Sequence, residues 1–105
     1  MDALPAAAPE IHQEEDIELE SALEKLQRVL VHNDSVTPYE FVIIALVKFF
    51  SLDPHRAELV TWTAHTSGSS LVAVLPLGEA RIKVGRAQFA ASLEGYPLMF
   101  TIEPE

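Results

Sequence analysis

A small α+β domain is the fold class this sequence predicts: a three-stranded antiparallel sheet with three helices packed on one face, in the order βααβαβ. Three observations carry that reading. Short apolar runs of strand length stand near the start, middle and end of the chain. Two proline-marked helix starts separate the first run from the second. One longer helical stretch, closed by a glycine, separates the second from the third.

Each element follows from local chemistry. Lys25 to His32 holds Leu26, Val29, Leu30 and Val31, a β-strand that ends at the turn cluster Asn33-Asp34-Ser35. Thr37-Pro38-Tyr39-Glu40 predicts a helix start with Thr37 as N-cap, Pro38 at the first helical position and Glu40 closing a capping box. The helix it opens is apolar nearly all round, from Phe41 to Phe50, and is expected to be mostly buried. Asp53-Pro54 starts a second helix, through about His65, and Ser67-Gly68-Ser69 breaks it. Leu71 to Leu75 reads as a short strand stopped by Pro76. Glu79 to about Leu93 reads as helix with Gly95 as its stop. Leu98, Phe100 and Ile102 alternate with Met99 and Thr101, a half-buried final strand.

Composition bounds the function. The 105 residues suffice for one domain, placed at 23–105, and 49% are hydrophobic, enough for a core without disulfide or metal support. Residues 1–22 carry seven acidic side chains and no Lys or Arg, beside an Ala/Pro-rich stretch, and read as a flexible acidic N-terminal extension. The rest carries 9 acidic and 7 basic residues, so no basic patch invites nucleic acid. There is no cysteine, and His12, His32, His55 and His65 are scattered, so neither a metal nor another cofactor is expected. The N-terminus lacks a positive segment followed by an apolar one, and the longest apolar run, Phe41 to Val47, is far too short to span a membrane. A cytoplasmic protein, monomeric and without membrane contact, is the expectation.

The densest polar cluster outside the extension is the turn from Asn33 to Pro38. Plain turn and cap chemistry accounts for its composition. A hydrolase using Ser35, His65 and Asp34 has little support, because Ser35 lacks the Gly-x-Ser-x-Gly frame and no histidine neighbours it in sequence. No enzymatic activity is expected. The residue types better suit capture of a cationic amine: a carboxylate on Asp34, a neutral acceptor on Asn33 and an unprotonated nitrogen on His65. An apolar helix starting directly after the turn can wall a pocket for the attached side chain. Only a neutral imidazole accepts, so such binding should weaken in mild acid.

The stretch Val31-His32-Asn33-Asp34-Ser35-Val36-Thr37-Pro38-Tyr39-Glu40-Phe41-Val42, followed by Lys48-Phe49-Phe50-Ser51, resembles the Clp protease adaptor family ClpS. The resemblance continues through Arg56-Ala57, Ala64-His65 and Gly68, and closes on Tyr96-Pro97-Leu98-Met99-Phe100-Thr101-Ile102-Glu103. It covers about residues 27–103. It implies an adaptor that binds proteins by a free N-terminal bulky hydrophobic residue, an N-degron, and delivers them to an AAA+ Clp unfoldase-protease. By resemblance Asn33, Asp34 and His65 hold the α-amine, and Thr37, Val42 and Leu98 belong to the pocket. Tyr39 stands where many members have a gating methionine, Thr61 where methionine is common, and Ala64 where valine is common. These departures suit a divergent or second-copy member.

Lys83 matches a residue the family uses to dock on the N-domain of the unfoldase. The acidic position before it falls at Gly78, with Glu79 adjacent, so Glu79 and Lys83 are the docking candidates. Ser35 replaces a second aspartate usual in the family motif and removes one negative charge. The extension matches one implicated in delivery rather than docking. Thr61 and Ala64 are expected to enlarge the pocket, with each unfilled methylene worth about 0.8 kcal/mol of apolar contact. Aromatic N-termini should then bind at least as well as leucine, with isoleucine and valine rejected. The alternative is a domain like the C-terminal domain of the ribosomal stalk protein, docking a partner by one face. It has no need for Asn33, Asp34 and His65 to converge.

Overall fold

A computed structural model describes residues 25–105, and the expected 1–22 extension lies outside the described residues. The element order is β1 (Leu26–His32), α1 (Tyr39–Phe50), α2 (Pro54–Ser67), β2 (Ser69–Pro76), α3 (Leu77–Leu93) and β3 (Met99–Pro104). Both neighbours of β1 run antiparallel to it, giving the strand order β2-β1-β3. This is the three-helix, three-strand arrangement that the apolar periodicity predicts.

Strand alternation builds the two faces of the sheet. Val29, Val31, Val72 and Phe100 are buried on the helix side. Arg28 and Glu103, paired at 3.5 Å, stand on the other, as do His32 and Thr101, whose Nε2 and Oγ1 are 2.7 Å apart. Val29 pairs with Ala73 and Leu30 with Leu71, so Val72 is an extra residue that makes a β-bulge. Beyond the bulge β1 runs past Ser70 and Ser69 to the turn at its end. Leu71 to Leu75 alone carries the strand pattern. The two serines join because pairing with Val31 and His32 overrides their weak propensity.

The helices close the core. α3 presents Ala80, Val84, Ala87 and Ala91, all buried, so small side chains let its backbone lie close to the sheet. The Gln88 side-chain oxygen accepts from the Phe100 backbone N–H at 2.8 Å, tying α3 to β3. After α3, Gly95 at φ 80° lets its N–H reach the Ser92 carbonyl and the Tyr96 N–H reach Ala91. α2 begins as predicted, with the Asp53 carboxylate accepting from the Arg56 N–H at 3.0 Å.

Two expectations for α1 need correction. Pro38, not Thr37, is the N-cap: its carbonyl accepts from the Phe41 and Val42 N–H groups, and no side chain caps the helix. The Thr37 hydroxyl donates instead to Asp34 Oδ2 at 2.8 Å, so the capping box does not form. Burial is also one-sided. Val42, Ala45, Leu46 and Phe50 are buried, whereas Ile44 is 59% exposed and Phe41, Ile43, Val47 and Phe49 are half-buried.

Candidate functional site

The end of β1, the turn after it, the start of α1 and the last turns of α2 meet around one cavity of about 330 Å³. A backbone hydrogen bond ties two of these pieces together. The Asn33 backbone N–H donates to the Gly68 carbonyl at 2.9 Å, fixing the turn against the end of α2. Gly68 occupies that junction at φ 100°, a conformation that favours glycine over residues bearing a Cβ.

Asp34 organises the turn. Its Oδ1 accepts from the Val36 N–H at 2.8 Å and the Thr37 N–H at 2.6 Å, and its Oδ2 accepts from the Thr37 hydroxyl. Burial raises the carboxyl pKa, but the Thr37 N–H, the Val36 N–H and the Thr37 hydroxyl together outweigh it and hold the value below 3.8. Asp34 is therefore a fixed anion at neutral pH. A carboxylate offers about four lone-pair directions, and three are taken. Oδ2 keeps capacity for one more donor.

Of the predicted amine-binding residues, Asn33, Asp34 and His65 all line this cavity. Among the described residues no hydrogen bond engages the Asn33 or His65 side chain. The His65 ring is exposed, with Tyr39 edge-on at 5.8 Å between centroids and Trp62 at 6.0 Å. Of the predicted side-chain-pocket residues, Thr37, Tyr39, Val42, Thr61 and Ala64 line the same cavity. Val42, Thr61 and Ala64 are at most 9% exposed and make an almost fully covered floor beneath a polar rim. The Thr61 hydroxyl donates to the Ala57 carbonyl at 2.8 Å, leaving its oxygen able to accept.

Leu98, which the resemblance puts in the pocket, is 5% exposed in the core just before β3 and is not among the residues lining the cavity. Val31 and His32 also line it although they were not singled out beforehand, as does Ser35, which stands where the family motif has its second aspartate. Their signal was positional, since the last residues of β1 must border whatever the following turn borders. Glu79 and Lys83 lie elsewhere, 3.5 Å apart one helical turn along α3. They border a hollow of about 240 Å³ with Lys48, Phe49, Ser51, Ile82 and Arg86, sharing no residue with the first cavity.

A polar rim that gathers acceptors around an apolar floor is the geometry expected of the family that the sequence resembles. The model of the ATP-dependent Clp protease adaptor protein ClpS matches residues 22–101. The chain belongs to the ClpS family. It is 43% identical over 81 residues to ClpS 2 of Mesorhizobium japonicum, covering 77% of this chain and 80% of that protein. ClpS 1 of Bradyrhizobium diazoefficiens shows the same identity and coverage. Agrobacterium tumefaciens ClpS2 bound to L-phenylalaninamide superposes with a TM-score of 0.74 at 40% identity, covering 77% of this chain and 98% of that one. ClpS proteins are Clp protease adaptors. Among the described residues no helix is long and apolar enough to cross a membrane, and no group of three or more His, Asp or Glu side chains is placed to hold a metal ion.

Proposed function

We propose that this ClpS-family chain captures the free α-amine of a protein whose first residue has a bulky hydrophobic side chain, and hands that protein to an AAA+ Clp unfoldase. The observation that carries the reading is the meeting of Asn33, Asp34 and His65 at the mouth of a cavity floored by Val42, Thr61 and Ala64. A free α-amine is cationic at neutral pH and brings three N–H donors. Asp34 supplies the countercharge, Asn33 an amide oxygen and His65 a ring nitrogen. The side chain attached to the same carbon then points onto the apolar floor. The ligand of the Agrobacterium relative, L-phenylalaninamide, has this combination of free amine and aromatic side chain.

Delivery uses a second surface. Glu79 and Lys83 on α3, with Lys48 and Arg86 nearby, form a charged patch away from the amine site. That patch docks the N-domain of the unfoldase, leaving the cavity open to substrate. Residues 1–20 act after docking, in transfer. The test is degradation of a reporter beginning with Phe by the unfoldase-protease with this chain added. Degradation should accelerate. Removing residues 1–20 should abolish the acceleration while leaving peptide affinity unchanged. A truncated chain that delivers at the full rate would refute the role of the extension, and no acceleration by the full chain would refute delivery.

A further inference from the structure

Beside the amine site α2 exposes two large apolar side chains, Leu59 at 52% and Trp62 at 55%. With Tyr39, His55 and Glu58 they border a shallow hollow of about 440 Å³. Tyr39 lines both this hollow and the amine cavity, and the His65 ring lies near the rings of both Tyr39 and Trp62. We infer that this shelf is a second subsite that takes the side chain of the substrate's second residue and favours an apolar one. The inference rests on the amine-capture reading, because the peptide must start at His65.

Reach and polarity carry the argument. Successive Cα atoms are about 3.8 Å apart and the His65 and Trp62 ring centroids 6.0 Å apart, so a peptide whose first residue is held at His65 can bring its second side chain to the Trp62 ring. The turn His32, Asn33, Asp34 and Ser35 that also borders the amine cavity is polar and carries the Asp34 anion. An apolar second side chain gains contact only by leaning toward α2, where Leu59 and Trp62 otherwise meet water. An acidic one meets Asp34 on one side and Glu58 on the other. The subsite should therefore prefer leucine, methionine or an aromatic residue and disfavour aspartate.

The test titrates the full chain with free-amine tetrapeptides that begin Phe-Leu, Phe-Gly or Phe-Asp and are otherwise identical. Phe-Leu should bind about fivefold tighter than Phe-Gly, the gain expected for partial burial of one leucine side chain. Phe-Asp should bind most weakly. Trp62→Ala and Leu59→Ser should each shrink the Phe-Leu to Phe-Gly ratio to less than about twofold. The ratio cancels any effect that the loss of Trp62 has on His65, because both peptides share the amine. Trp62 is the sole tryptophan of the chain, so its emission should shift further to the blue with Phe-Leu than with Phe-Gly. Equal affinities in the unmodified chain, or a ratio unchanged in both variants, would overturn the subsite. An acetylated Phe-Leu peptide separates the two ideas. If the amine is still required while the ratio is flat, only the subsite falls; if the amine is not required, both fall.

Discussion

Asp34 orders the turn through three hydrogen bonds, and in the proposed reading the remaining capacity of Oδ2 also meets the amine; a single substitution separates the two. Asp34→Asn keeps an oxygen for the turn and removes the charge. A hydrogen bond to a charged group is worth about 1.5–3 kcal/mol, so peptide affinity should fall by roughly ten- to a hundredfold. Titration calorimetry checks this, and an unchanged affinity would mean the carboxylate serves the turn alone. The same substitution has a pH signature. The folded-state pKa lies below the ordinary 3.8, so the contribution of Asp34 to stability is full above that value and is lost as the pH falls through the lowered one. Asp34→Asn should flatten that part of the acid limb in urea denaturation.

In the proposed reading the pocket residues set which side chain enters: Thr61 and Ala64, both buried, form the floor, and Tyr39, half-buried beside His65, stands at the gate. Peptides beginning with Phe or Trp should bind at least as well as one beginning with Leu, while Ile and Val, wide next to the backbone, should be rejected. Tyr39→Ala should admit both. Leucine ahead by more than about tenfold, or roughly 1.4 kcal/mol, would show that Tyr39 leans in and refills the space.

At the scale of elements, the ends of α1 and α2 decide where the site residues stand. Asp53 and Pro54 start α2, and the helix then carries Thr61, Ala64 and His65 on one side at helical spacing. Asp53→Ala removes the cap and should cost about 1 kcal/mol of stability by chemical denaturation. Affinity should change little, because the cap lies three turns from His65. That start was legible in two adjacent residues. The start of α1 was not, although its pattern was stronger: Thr37 and Glu40 fit a capping box, yet Asp34 takes both the N–H and the hydroxyl of Thr37. The capping-box pattern looks only forward from Thr37 to Glu40, and here the competing acceptor lay three residues upstream.

At the scale of the molecule, the fold was legible because apolar runs of strand length and proline- or glycine-marked helix ends alternate along the chain. The site was less legible, because it joins residues 31–42 to residues 61–65, and no local pattern states that the two segments touch. The residue types suggested an amine, and the family resemblance supplied the partner positions. Leu98, buried in the core, is one residue whose apolar character alone fits either a core position or a pocket wall. Exposure of Ile44, Leu59 and Trp62 was also hidden, since an apolar side chain in sequence does not declare whether it faces the core or a ligand.

In the proposed reading the turn and His65 hold a free, charged α-amine. Titrating two peptides that begin with Phe and differ only in acetylation of the first residue tests it most directly. Acetylation removes the positive charge and two of the three N–H donors at once. The free peptide should bind and the acetylated one should show no measurable binding over the same concentrations. Equal affinity for the two would contradict the account.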